Sequence, residues 1–387
     1  MDYQRIYARI DLDAMAHNID LAKKKIGSAK LMLVLKADAY GHGAVAVAQT
    51  FEQDADAFAV AEMNEAIELR RAGVRKPILI LGYTSPSLFA AAITYDITLS
   101  MFQPENLVLL SEEAVRMEKM ARVHLAVDTG MGRIGFAVTE GDADAAARAM
   151  KLPNLAIEGI FSHFAAADGE DTVSITAQRK EFSRFLKMLE ARGAKLPPIH
   201  MDNSAGIFRC GEYDDMVRLG IGLYGLYPSA EVRALCERDL PLRPVMSLVT
   251  HIAHIKTLSA GQGISYGSTY VTTRETRVAT IPVGYGDGYP RALSGKGEVL
   301  IRGVRCPILG RVCMDQMMVD ITHISEAAVE DAVVLLGWDG DACISVEELA
   351  DAAYSFNYEF VCGIARRVPR VYVKDGEIQK TVSHLLG

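Results

Sequence analysis

Leu31-Met32-Leu33-Val34-Leu35-Lys36-Ala37-Asp38-Ala39-Tyr40-Gly41-His42-Gly43 is the stretch on which the reading of this chain turns. Five apolar residues in succession suit a strand buried on both faces, as in a parallel sheet covered by helices. The run stops abruptly on Lys36, with Tyr40 four residues later and two glycines opening an apolar helix. A lysine that closes a strand is most often a solvated stem. A partly desolvated amine on a rigid strand end can instead condense with a carbonyl, and the rest of the chain decides between the two.

Working outward, short apolar runs recur at Leu31 to Leu35, Ala57 to Val60, Ile78 to Leu81, Ile97 to Leu99, Val123 to Val127, Ile157 to Phe161, Ile199 to Met201 and Met216 to Leu219. Helical patterns lie between them, among them Met63 to Arg71, Pro104 to Lys119, Asp142 to Met150 and Ile175 to Arg192. Strands alternating with helices argue for a parallel sheet, and eight such units argue for a closed (β/α)8 barrel, an α/β fold. Chemistry in a barrel gathers where strands end. The polar residues at those ends are Lys36 and Tyr40, Asp128 to Arg133, His163, Asn203 and Ser204, then Arg218, Gly220 and Ile221.

Past Tyr224 the texture becomes β, with runs at Leu248 to Thr257, Val278 to Val283, Glu298 to Arg302, Cys313 to Ile321 and Val333 to Leu336. One helix is expected over Ser345 to Phe356, opened by a capping box of Ser345 and Glu348. Residues 3 to 10 alternate like a strand, and Asp13 is placed to cap a helix over 14 to 26. The expected division is a barrel over 11–237 and a mainly β domain from 1–10 and 238–387.

The chain has 387 residues, 50% hydrophobic and 23% charged, with net charge -8. That balance is an ordinary globular one and argues against nucleic acid or an anionic membrane as partner. No apolar run approaches the ~20 residues that span a bilayer, and the N-terminus offers no secretory signal, so a cytoplasmic protein is expected. Six scattered cysteines without a C-x-x-C pair argue against a zinc cluster or disulfide framework, and no metal site is expected. Neither G-x-G-x-x-G after a strand nor a G-x-x-x-x-G-K-[ST] loop occurs.

Gly220 after the eighth strand lets backbone amides approach an anion, and Ser204 after the seventh adds a hydroxyl, where barrels often hold a phosphate. A lysine and a phosphate cradle on one rim suggest pyridoxal 5′-phosphate, held through Lys36. At this point the residues match a known family. Val34 to Gly43, Asp128-Thr129-Gly130-Met131-Gly132-Arg133, Ser162-His163-Phe164, Asn203-Ser204, Arg218 to Ile221, Ser265-Tyr266-Gly267, Gly284 to Gly288, Cys313-Met314-Asp315-Gln316 and Arg367 to Arg370 occur in order across nearly the whole chain. The sequence closely resembles the alanine racemases, fold type III pyridoxal-phosphate enzymes.

The resemblance implies a homodimer whose β domain completes the partner's site. It implies Lys36 as the cofactor lysine, with Tyr40, Ser204, Gly220, Ile221 and Tyr358 about its phosphate. Arg133 would face the phenolic oxygen and Arg218 the pyridine nitrogen. Tyr266 from the other subunit would be the second catalytic base, with Met314 and Tyr285 near the substrate carboxylate. His163 and His200 would support Tyr266 and Arg218. Racemisation removes the α-proton on one face and returns one on the other, which is why two bases are needed. D-alanine for peptidoglycan is the implied product.

Two positions depart from the family. Ala126 stands where many relatives have a lysine that steadies the arginine, and Asp38 replaces the commoner asparagine. A serine-preferring or broad racemase is the nearest rival, opposed by the bulk of Tyr358. A decarboxylase of the same fold type is opposed by Tyr266, and a non-enzymatic pyridoxal-phosphate carrier by the β region.

Overall fold

The computed structural model describes residues 5–169 and 172–385. The chain divides into two compact units, one of residues 16–39 and 43–243, the other of residues 1–15, 40–42 and 244–387.

After β1 (Ile6–Asp11), a strand of the second unit, the first unit supplies β2 (Lys30–Val34), β3 (Ala57–Val60), β4 (Ile78–Ile80), β5 (Thr98–Met101) and β6 (Ala121–Asp128). A two-residue β7 (Phe136–Ala137), β8 (Leu155–Phe161), β9 (Ile199–His200) and β10 (Met216–Leu219) follow. Leaving β7 aside, neighbours pair in parallel from β2 to β9, and β10 returns to pair with β2. Between β9 and β10 no ladder forms, but Arg218 N donates to Asp202 O at 2.9 Å across the seam. The eight-stranded barrel is therefore nearly closed. Every residue of β3, β4 and β5 is buried, which is why β3 and β4 are unbroken apolar runs; β5 buries Thr98 and Ser100 as well, the Ser100 hydroxyl donating to Ile80 O at 2.6 Å.

Helices cover the strands. Pro104 opens Pro104–Arg116 in the first turn, where its missing N–H costs nothing. Thr139 Oγ1 caps Glu140–Ala149 by accepting from Asp142 N at 3.2 Å. The capping aspartate of the first helix is Asp11, whose Oδ1 accepts Ala14 N at 2.9 Å, because the helix starts at Leu12. Asp13 instead takes Asp375 N at 2.6 Å.

In the second unit β1 runs between β11 (Met246–His251), antiparallel, and β21 (Arg370–Lys374), parallel. Residues 3 and 4 of the expected first strand lie outside the described residues. The apolar run from Leu248 is two strands, β11 and β12 (His254–Leu258), which pair with β19 (Ala332–Asp339) and β15 (Thr276–Ile281) respectively. The expected strand from Cys313 begins only at β18 (Met317–Asp320), since Cys313 N turns back to Gln316 O at 2.9 Å.

The expected single helix is two, Val346–Ala352 and Asn357–Cys362, separated at Tyr354 by a left-handed φ of 57°. Ser345 caps the first as expected, accepting Glu348 N at 3.1 Å. Glu348 does not reciprocate, because Arg305 takes both its oxygens at 2.5 and 2.9 Å.

Candidate active site

Lys36 is separated from the end of β2 by one residue, the buried Leu35, and is half-buried. The next four residues, Ala37, Asp38, Ala39 and Tyr40, all hold φ between 52 and 55°. Each such left-handed residue costs on the order of 1–2 kcal/mol, so the turn persists only where neighbours dictate it. Glu65 is one such neighbour, accepting Ala37 N at 2.6 Å on one oxygen and Ala61 N at 2.7 Å on the other. Gly43 N donates to Asp38 O at 2.8 Å, and Asp38 Oδ1 accepts Ala44 N at 2.8 Å, the first amide of the helix Ala44–Phe51. Asp38 thus has a structural use at the turn, anchoring the helix that follows.

Arg218 on β10 is buried, its guanidinium 5.5 Å above the Phe161 ring. Nη1 donates to His200 Nδ1 and to His200 O, and Nη2 to Ser162 O at 2.7 Å, Met201 O at 3.0 Å and His163 Nδ1 at 3.2 Å. Nε makes no hydrogen bond among the described residues. Burial pushes Arg218 down to about 10, which still leaves it charged at neutral pH. A guanidinium only donates, so Nδ1 of both histidines must be bare and Nε2 must carry the proton. Burial, then Arg218, pushes His163 down to about 3 and His200 well below its ordinary value. Asn203 Nδ2, 3.5 Å from His163 Nε2, is itself a donor because Asn203 Oδ1 accepts Gly206 N, so the His163 N–H is not taken up by it and can serve another acceptor.

A histidine kept neutral by the fold takes up its proton only when the chain unfolds. Its folded value lies below the unfolded ~6.5, so the unfolded state binds more protons between the two and stability falls as pH drops through that window. His163 is expected to contribute a slope of about 1.4 kcal/mol per pH unit there. Urea unfolding at pH 5.5 and 4.5 should show the slope reduced by that amount in His163→Asn, and equal slopes would mean His163 is charged in the fold.

Ser204 Oγ accepts Gly220 N at 2.9 Å and Gly222 N at 3.2 Å, and the Asn203 side chain caps the short helix Ser204–Arg209 by accepting Gly206 N at 3.0 Å. With both lone pairs engaged, the hydroxyl proton is left to donate. Gly222 cannot carry a Cβ, which would stand 2.4 Å from the Phe208 ring. Arg133, on the loop after β6, is exposed and makes no hydrogen bond or ion pair among the described residues. It lines a cleft of about 280 Å³ with Lys36, Met131, His163 and the buried Ala126.

In the second unit Tyr266 (71% exposed) and Met314 (54%) line one depression with Cys313 and Gln316. Tyr266 sits in a turn between Ser265 (φ 67°) and Gly267 (φ 74°), tied down by Ser265 Oγ donating to Arg311 O at 2.7 Å. Tyr285 N donates to Cys313 O at 3.0 Å and Gly286 N to Met314 O at 2.9 Å, strapping Tyr285 beside Met314. Tyr40 and Tyr358, both of this unit, have ring centroids 6.1 Å apart, and burial with Tyr358 nearby raises Tyr40 far above the usual phenol range.

Residues 10–228 match the family model for the alanine racemase N-terminal domain, and residues 245–372 that for its C-terminal domain. The chain belongs to the alanine racemase family. It is 46% identical to the alanine racemase of Desulforamulus reducens, over 95% of this chain and 99% of the relative, and 43% identical to that of Clostridium tetani, over 96% of each. The alanine racemase structure from Clostridium difficile superposes with a TM-score of 0.94 at 38% identity over the full length of both. That of Bacillus anthracis with bound L-Ala-P superposes with 0.93 at 36% identity, over 100% of this chain and 99% of that one. The activity of the protein is alanine racemisation, the activity for which these nearly full-length relatives are named.

The cleft of the first unit brings together Lys36, Arg133 and His163, with Arg218 behind His163, while Tyr266, Met314 and Tyr285 cluster in the second unit. Sequence reasoning missed Glu65, Asn203 as a cap, and Asp287. Asp287 is fully buried and takes Arg5 and Arg367, the latter through Nε at 2.8 Å, while its Oδ2 accepts Gly284 N at 3.0 Å beside Tyr285. Asp287 is buried but its arginines are about a third exposed, so Asp287→Ala, which also strips Gly284 N of its acceptor, should lose about 2 kcal/mol. A urea midpoint shift worth under about 1 kcal/mol would show that both arginines re-pair without cost.

Proposed function

We propose that the protein interconverts L- and D-alanine with pyridoxal 5′-phosphate, as a homodimer in the cytoplasm, supplying D-alanine to peptidoglycan. The carrying observation is Arg218: a buried guanidinium, held by two neutral histidines, with Nε left to donate. A donor that keeps its proton suits an unprotonated pyridine nitrogen, and the outward Ser204 hydroxyl beside Gly220 and Ile221 suits a phosphate. Lys36 on its pinned turn would hold the cofactor, with Tyr40 and Tyr358 at the phosphate and Arg133 at the phenolic oxygen. Bound there, the cofactor supplies an electron sink for the charge left as the α-proton departs.

Lys36 would move the proton on one face and the partner subunit's Tyr266 on the other. The division into a barrel over 11–237 and a β domain from 1–10 and 238–387 fits this exchange. A phenol with pKa near ~10 is a weak base at neutral pH unless a donor stabilises its anion, and the His163 Nε2–H, fed by Arg218, is such a donor. Met314 and Tyr285 would hold the substrate carboxylate, and Tyr358 would crowd a side chain larger than methyl.

The test is incubation of the cofactor-supplemented protein with L-alanine and, separately, L-serine, with chiral chromatography of the products. D-alanine is expected to exceed D-serine by at least about 10-fold, the scale on which a pocket resolves small differences. Dominant D-serine would show that Tyr358 does not select, and no D-product would remove the reading.

A further inference from the structure

Behind Arg218 lies a second buried histidine contact that the racemisation scheme does not use. His200 Nε2 stands 2.9 Å from Nδ1 of His124, a buried residue of β6 that does not line the cleft around Lys36. Protons in this row have only one arrangement. Arg218 donates to His200 Nδ1, so His200 carries its proton on Nε2 and donates it to His124, which must then be bare at Nδ1 and protonated at Nε2.

The backbone is shaped to admit this ring. A Cβ on Gly159, across the ladder on β8, would come within 2.5 Å of His124 Nδ1, and the β6–β8 register slips between Val123 and His124. His200 is held in turn by stacking on Phe161, with centroids 5.1 Å apart and planes 6° from parallel. Around His124 is a second cavity of about 240 Å³, lined also by Arg122, Glu158, Asp56 and Lys30. Arg122 there is already paired with Asp96 and Glu158. Burial, and beyond His200 the charge of Arg218, push His124 down to about 4, so it is a neutral acceptor at working pH.

We propose that His124 is a positioning residue for the reaction: by accepting from His200 it fixes the tautomer that His200 must present to Arg218, and so holds the guanidinium in register. Without an acceptor at this position, His200 either buries an unpaired N–H or moves its proton to Nδ1, where it opposes a donor-only guanidinium. Both outcomes loosen Arg218, and with it the donor row that reaches His163. A protonated His124 would do the same, since its Nδ1–H would meet the Nε2–H of His200.

The kinetic arm of the test rests on the racemisation reading above, whereas its spectroscopic arm does not. In ¹⁵N-edited NMR of the holoenzyme at pH 7, His124 and His200 are expected to be neutral with the proton on Nε2. A charged ring, or a proton on Nδ1 of either, would overturn the proposal whatever the enzyme catalyses. His124→Phe is expected to change the His200 ring signals, by moving the proton to Nδ1 or by shifting an Nε2–H left unpaired, and to lower kcat by about 10-fold, in line with residues that orient a functional group from behind, with KM little changed. His124→Asn, which offers an acceptor oxygen, should restore most of kcat and the His200 signal. Loss of kcat in His124→Phe with both the His200 tautomer and the chemical shift of its Nε2–H unmoved, so that the N–H is neither shifted nor unpaired, would reduce His124 to packing and sink the idea. Should His124→Phe fail to fold, the tautomers of the unaltered protein decide alone.

Discussion

Lys36→Ala is expected to abolish racemisation, lowering kcat by on the order of 10⁵-fold, the scale on which a group acting in the chemistry itself is lost. The same substitution should leave the barrel standing. Lys36 is half-buried at the rim, while β2, which precedes it, is held by ladders to β3 and β10 and by apolar residues that the mutation does not touch. A thermal midpoint within a few degrees of the parent, together with loss of turnover, separates a catalytic amine from a structural one. If Lys36→Ala kept more than about one hundredth of the rate, Lys36 would be the solvated stem that most strand-closing lysines are. The expectation is testable in a second way, since a small primary amine added to the assay should return part of the lost rate if only the amine is missing.

Why Lys36 was legible while its turn was not has a physical answer. β2, β3 and β4 are buried on both faces, so each announces itself as a short apolar run, and Lys36, which follows the first of them, is visible by contrast. The left-handed turn after Lys36 carries no such mark. Ala37, Ala39 and Tyr40 are not residues that favour positive φ, and what holds them includes a carboxylate, Glu65, contributed by the next helix but one. Tertiary contacts imposed that conformation against local preference, and no pattern within the segment encodes it.

The second unit was read less fully for a related reason. The strand β22 (Glu377–Val382) lies at the edge of its sheet, exposed along nearly its whole length and charged at both Glu377 and Lys380. Edge strands are kept polar, which removes the alternation by which a strand is recognised. β17 (Val304–Leu309) contains Pro307, which also speaks against a strand, yet it pairs with β16 (Glu298–Ile301). At the site, Tyr266, Met314 and Tyr285 were found through resemblance alone. Nothing in composition or spacing would have joined Tyr285 to Met314; two backbone hydrogen bonds do so.

Tyr266→Phe is the substitution that distinguishes two bases from one. The phenyl ring keeps the volume and loses only the oxygen, at a residue exposed enough that the fold does not depend on it. Loss of one of two acid/base groups should lower the rate of racemisation by on the order of 10²–10⁴-fold. Because enantiomers in water have equal free energies, the equilibrium constant is one, and kcat/KM must fall by the same factor from L-alanine and from D-alanine. The difference between the two faces therefore cannot appear in the racemisation rates; it must appear in exchange. With Lys36 intact, the enantiomer whose α-proton faces the lysine should still trade that proton for solvent deuterium and return with its configuration unchanged. The other enantiomer should exchange no faster than it racemises. Mass spectrometry of each alanine recovered from D₂O measures this directly. Equal exchange of both enantiomers would show that a single base reaches both faces, and Tyr266 would then be no more than a wall of the site.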